Sequence, residues 1–249
     1  MQPVSASLPH TRSAGIPAGQ RIYAIGDVHG RMDLLERLIA RIVADHQARG
    51  EADAEIILLG DLIDRGPDSA DVVAWAMEGK AGALPVSTLM GNHEEQLVDS
   101  VLGEGRLLEG WLTYGGLETL RSYGVDPRLL TSGDSGAIRE AARAAVPAAI
   151  AGWMEALPVH RRTGDYLLVH AGVRPGVALH RQNPRDMRWI RGEFLDSDSD
   201  HGAIVVHGHS IRPEVEIRHN RIGLDTGAYR SGRLSAIGLE GSARWVLQT

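Results

Sequence analysis

Apolar residues along the first third of the chain fall in short bursts, each closed by a glycine and a polar residue. Ile22, Tyr23 and Ile25 sit in a run over 21–26 that reads as a short buried strand before a Gly-Asp turn. Residues 31–48 carry Leu34, Leu35, Leu38, Ile39 and Ile42, the one-sided spacing of an amphipathic helix. The pattern then recurs. A strand over 55–59 ends in Gly-Asp, a helix spans 68–78 with Asp68 or Ser69 near its start, and a strand over 84–90 ends in Gly-Asn. Three β-then-α units in succession predict an α/β core.

The pattern changes twice more. Residues 95–160 read as mainly helical and Ala-rich, with Trp111, Tyr114, Gly115 and Gly116 ahead of an Ala run over 141–151 that suits helix packing. We read a helical cap insertion, about 97–160, that shapes a cleft. Past 165 the spacing turns to strands over 166–169, 203–207, 214–218, 221–224, 234–239 and 244–247. Alternation and Gly/Asn turns predict the last four as antiparallel neighbours. Residues 196–200 read as a solvated acidic loop. Residues 1–19 are rich in Ser, Ala, Pro and Gly and lack the charged start and apolar stretch of a secretory signal. They read as a mobile tail ahead of a single domain over 20–249.

Composition narrows the chemistry. The 249 residues are 43% hydrophobic, which suits a globular chain. No apolar run approaches the roughly 20 residues of a membrane helix, so no membrane partner is expected. A net charge of −6 is ill suited to non-specific nucleic-acid binding. Cytoplasm is the default compartment. With no cysteine, disulfides, zinc–thiolate sites, iron–sulfur clusters and a thiol nucleophile are all excluded.

Four glycine-flanked clusters carry the candidate chemistry: Gly26-Asp27-Val28-His29-Gly30, Gly60-Asp61-Leu62-Ile63-Asp64-Arg65-Gly66, Gly91-Asn92-His93-Glu94, and His170-Ala171-Gly172 with His207-Gly208-His209. Any one is an ordinary turn. All four, each at the C-terminal end of an expected strand, predict loops converging on one ligand-binding edge. Carboxylate, imidazole and amide oxygen suit divalent Mn, Fe or Zn. Asp27 and His29 can hold one ion, Asn92, His170 and His209 a second, and Asp61 can bridge them. Such a pair clamps an in-line displacement at phosphorus.

These clusters resemble the metallophosphoesterase signature. Asp64-Arg65-Gly66 and Gly91-Asn92-His93-Glu94 resemble more narrowly the PPP-type serine/threonine phosphatases, in their short bacterial and phage lambda phosphatase-like branch, close to symmetrical diadenosine tetraphosphatases. The resemblance covers most of 20–240 and is weakest in the middle. It implies an α/β calcineurin-like fold of two mixed β-sheets packed as a sandwich, flanked by helices, with two divalent metal ions (manganese foremost) on one edge. It implies the same six ligands, with His93 as general acid oriented by Asp64. Arg65, Arg191 and Asn92 would bind the substrate phosphate, with Arg188 as the alternative to Arg191. His207 would be a strand-end neighbour of the ligand His209. Asp225-Thr226-Gly227 resembles a late segment that packs beneath the site. The implied reaction is attack of metal-bound hydroxide on a phosphomonoester. A phosphoprotein bearing Ser or Thr (or Tyr) phosphate is the first substrate reading, and a symmetrical dinucleoside polyphosphate the second. A non-catalytic metal-binding regulatory module is the alternative of another class.

Overall fold

The computed structural model describes residues 14–249. Six strands form one sheet in the order β11-β10-β1-β2-β4-β3, from β1 (Gln20–Ile25), β2 (Asp53–Leu58), β3 (Lys80–Ala81), β4 (Leu84–Thr88), β10 (Ser235–Glu240) and β11 (Ala243–Gln248). Five form the other in the order β5-β6-β7-β9-β8, from β5 (His160–Thr163), β6 (Tyr166–Val169), β7 (Ile204–His207), β8 (Glu216–Ile217) and β9 (Arg221–Gly223). Each sheet is mixed. β1, β2 and β4 run parallel in the first, and β6, β7 and β9 in the second.

Strand alternation builds the layers, because successive side chains point to opposite faces. Ile22, Ala24, Ile57 and Leu59 face Leu168, Val206, Ile222 and Leu224 between the sheets. Tyr23, Ile25, Ile56 and Leu58 face the other way, onto α1 (Met32–Arg49) and α2 (Ser69–Met77). α1 buries Leu34, Leu35, Leu38 and Ile42, the stripe its sequence spacing predicts. The same outer layer takes in α3 (Asn92–Val101) and the short helices α4 (Leu108–Trp111), α5 (Leu117–Ser122), α6 (Pro127–Leu130), α7 (Ser135–Ala145) and α8 (Ala148–Glu155). On the far side of the second sheet, Leu167, Val169 and Val205 pack on Met187, Ile190 and Phe194. These come from α9 (Pro184–Trp189), its end, and α10 (Gly192–Leu195), while α11 (Ala228–Ser231) follows β9.

The strand pairing corrects one expectation. The last four strands are not consecutive antiparallel neighbours: β8 pairs β9 in one sheet, and β10 pairs β11 in the other. Turn residues specify pairing across a tight turn only. Residues 224–234, with α11 inside them, carry the chain from one sheet to the other. β3 and β5, both short, were outside the predicted strands. β5 is a largely exposed His-Arg-Arg segment with no apolar alternation to betray it. Of the tail expected over 1–19, residues 1–13 lie outside the described ones. Gly15 N–H donates to Asp165, Ile16 N–H donates to the Gly241 carbonyl, and the Ile16 side chain is buried between the sheets.

Candidate dimetal centre

Each of the six parallel strands delivers polar residues just beyond its C-terminal end. β1 leads to Asp27 and His29, β2 to Asp61, β4 to Asn92 and His93, β6 to His170, β7 to His209, and β9 to Asp225. All eight side chains are buried. Asp61, just beyond the middle strand of the first sheet's parallel set, is braced from both sides. Its carbonyl accepts from Val28 and His29 N–H at 3.1 and 2.9 Å. Its own N–H donates to the Glu94 carboxylate, which also takes Leu62 and Gly91 N–H, all at 2.8–2.9 Å. The glycines allow this approach: a Cβ at Gly91 would stand 2.2 Å from Asp61 Oδ1, and one at Gly208 only 2.0 Å from Asp27 Oδ1.

The two oxygens of Asp61 face two clusters. Oδ1 lies 3.3 Å from His170 Nε2, which lies 3.0 Å from Asn92 Oδ1 and 3.2 Å from His209 Nδ1. Oδ2 lies 3.7 Å from His29 Nε2 and 3.8 Å from His93 Nε2. Two sets of donor atoms therefore converge, Asp61–His170–His209 and His29–Asp61–His93, with Asp61 common to both. The donor chemistry fits cations in both places. The outer nitrogens of His29 and His170 lie 2.7 and 3.0 Å from the carbonyls of Ile63 and Leu59, which can only accept, so each Nε2 lone pair is turned inward. His209 Nε2 has no hydrogen-bond partner.

The electrostatics reflect crowded like groups. Burial, and next the charge of Asp225, push Asp27 well above the usual carboxylate range. Burial opposes ionisation of Asp61, but His170 and His93 hold it well below that range. Burial disfavours the His170 imidazolium, yet Asp61 outweighs it and lifts the group to about 9. Burial, reinforced by His170 and Arg191, drops His209 to about 2. Burial and the charge of His93 press His29 well below its ordinary value.

Beside the converging set, His93 Nδ1 lies 2.5 Å from Asp64 Oδ2. Burial works against its charge, but Asp61 and Asp64 together raise it. Arg65 reaches over the site, with its guanidinium 3.0 Å from His29 Nε2 and 3.3 Å from His93 Nε2, and stacks on the Tyr229 ring. Arg191 donates to the His209 carbonyl, whereas Nε and Nη2 of Arg188 both donate to the Glu95 carboxylate. Asp27, expected as a ligand with His29, is buried in the same loop cluster and accepts the His209 N–H on its carboxylate at 3.1 and 3.0 Å. His207 is turned away: its Nδ1 lies on the Gly208 carbonyl and its ring against Phe194, and burial lowers it to about 4.

Sequence reasoning missed four residues here. Glu94 stands in the Gly-Asn-His-Glu motif with no role that the pattern assigns, although a carboxylate following a Gly-Asn-His turn is placed to take loop N–H groups. Asp225 was set beneath the site, yet one of its buried carboxylate oxygens lacks any partner and its charge bears on Asp27. Trp111 and Thr119 both bond Asp64 across more than 45 residues of sequence, and nothing local signals that.

With this geometry the chain falls into a known class. A family model for calcineurin-like phosphoesterases matches residues 20–237, and the chain belongs to that family. Among named relatives, it is 28% identical over 153 residues to a symmetrical bis(5′-nucleosyl)-tetraphosphatase of Neisseria gonorrhoeae. That match covers 61% of this chain and 44% of the relative. It is 30% identical over 154 residues to the enzyme of that name from Methylococcus capsulatus, covering 62% and 44%. The matches thus span under half the length of these relatives. In structure, it superimposes on a crystallised candidate diadenosine tetraphosphatase with a TM-score of 0.61 at 22% identity, over 97% and 96% of the two chains. A cold-active protein-tyrosine phosphatase of a psychrophilic Shewanella gives 0.58 at 19%, over 94% and 83%. These two likenesses concern the fold.

Proposed function

We propose that this chain hydrolyses phosphoric anhydrides of the symmetrical dinucleoside tetraphosphate class, splitting the bridge at its midpoint into two nucleoside diphosphates. The named sequence relatives favour this reading over the phosphoprotein first suggested by the motifs. The metal-site residues bind any phosphate ester alike, so they do not choose between substrates. The observation that carries the proposal is a groove of about 460 Å³ beside the site, lined by Arg65, Leu112, Tyr114, Gly115, Leu117 and Tyr229. Tyr114 is 62% exposed there, an aromatic face free to stack on a base.

His29, Asp61, Asn92, His170 and His209, with Asp27 beside them, would hold two divalent ions, manganese first and iron or zinc next. When bound, these supply Lewis-acid polarisation of the phosphoryl group and activation of the attacking water. Arg65 and Arg191 would bind phosphate oxygens, Arg65 through its planar fork. His93 would carry a proton on Nε2 to the departing oxygen, since Asp64 occupies its other nitrogen. The cytoplasm is our proposed compartment. Among the described residues no helix is long and apolar enough to cross a membrane.

One assay tests the proposal. Mn-loaded protein is given diadenosine tetraphosphate and, separately, peptides bearing Ser, Thr or Tyr phosphate. We expect a higher kcat/KM on the dinucleotide with ADP as the sole product. ATP and AMP as products, or a preference for the peptides, would overturn it.

A further inference from the structure

The helical insertion does more than line the groove. Trp111, at the end of α4, is fully buried and donates its indole N–H to both oxygens of Asp64, at 3.0 and 2.9 Å. Thr119, in α5 and also fully buried, donates its hydroxyl to Asp64 Oδ1 at 2.5 Å and accepts the Asp64 N–H at 2.9 Å. Ser69 Oγ takes the same N–H at 3.0 Å. Thr119 thus holds Oδ1, Trp111 spans both oxygens, and Oδ2 meets His93 Nδ1. Arg65 is fixed alongside. Its N–H donates to the Gly115 carbonyl at 3.3 Å, and a Cβ at Gly115 would stand 2.6 Å from Arg65 N.

Asp64 sits at positive φ, so its own backbone conformation is disfavoured and needs these contacts to persist. A carboxylate held by a single partner could rotate and release the imidazole. One held by three donors cannot.

We propose that Trp111 and Thr119 are positioning residues for proton transfer: they lock the Asp64 carboxylate so that His93 presents Nε2 to the leaving oxygen. This rests on the reading above, with His93 as proton donor. It assigns to the insertion a part in the chemical step, separate from any grip on the substrate.

The test compares Mn-loaded wild type, Thr119→Val, Thr119→Ser, Trp111→Phe and His93→Asn on phenyl phosphate and 4-nitrophenyl phosphate. Nitrophenolate departs without a proton, whereas phenolate leans on one. All variants are compared at matched melting temperature. Thr119→Val is close to isosteric and Trp111→Phe removes a separate contact, so either can carry the result if the other does not fold. For both we expect kcat on phenyl phosphate to fall roughly 10-fold or more, against less than about 3-fold on the nitrophenyl ester, since general acid catalysis as a whole is worth about 10²–10⁴. Thr119→Ser, which keeps the hydroxyl, should retain the wild-type ratio of the two rates. Equal losses on both esters, or none, would overturn the positioning role. A His93→Asn ratio equal to wild type's would instead overturn the proton-donor reading itself, and a wild type inactive on both esters and on diadenosine tetraphosphate would sink the hydrolase assignment.

Discussion

Among the described residues, five non-glycine positions adopt positive φ: His29, Asp61, Asp64, Arg65 and His209. All five are in the site. Such conformations cost on the order of 1–3 kcal/mol each and persist only where the surroundings hold them. Here cross-loop hydrogen bonds and missing Cβ atoms do so. At Gly208, an added methyl would meet Asp27 Oδ1 and push that carboxylate from the His209 N–H. Gly208→Ala should therefore destabilise the fold by about 1–3 kcal/mol, the usual cost of overpacking, and weaken metal retention. Thermal unfolding and metal analysis of the dialysed protein check both. An unchanged melting temperature and metal content would show that the loop gives way freely.

His170 carries a pH prediction. Its folded value, about 9, lies above its ordinary 6.5, so its pairing with Asp61 stabilises the fold fully below about 6.5. That contribution is lost as pH rises through 9. In excess chelator, melting temperature should fall between pH 6.5 and 9. With manganese present the trend should flatten or reverse, because the ion needs neutral imidazole and binds more tightly as protons leave. Parallel melting curves in chelator and in manganese would contradict this.

At the scale of elements, the site is a property of loops tied to each other more than to their own strands. Glu94, in the first turn of α3, takes three backbone N–H groups from the loops after β2 and β4. Glu94→Gln replaces one accepting oxygen with an NH₂ that faces a donor. A lost charge-assisted bond and a stranded buried N–H cost about 1–3 kcal/mol. We expect reduced stability, and a loss of metal affinity larger than that from removing an exposed glutamate such as Glu104. Isothermal titration with Mn on both variants measures this, and equal affinities would contradict it. The helices themselves were legible from spacing, as the buried stripe of α1 shows. Two of the four edge strands, β3 and β5, were not, since β3 is two residues long and β5 is polar.

At the scale of the molecule, two sheets bring six strand ends to one edge, and the helical insertion sets Tyr114 beside it. Base stacking on an aromatic side chain is worth about 1–3 kcal/mol. Tyr114→Ala should raise KM for diadenosine tetraphosphate roughly 5- to 100-fold, with little change for 4-nitrophenyl phosphate, which has no base. Steady-state kinetics on the two substrates decide it, and a matched rise on both would remove Tyr114 from base recognition.

The amino-acid sequence alone determined the α/β alternation, the parallel strand ends and the residue types gathered there. These are local: apolar periodicity and glycine turns act within a few residues. His93 and Asp64 were nominated by resemblance to known motifs, and their contact joins loops 29 residues apart. Only the tertiary structure decided that β9 and β10 part into different sheets, that Asp27 turns to the His209 N–H, and that Glu95 holds Arg188 while Arg191 stands near His209. Trp111 and Thr119 belong to the same group. Their value lies in a carboxylate about 50 positions away, and hydrogen bonds across such separations are set by how layers pack, which no local pattern encodes.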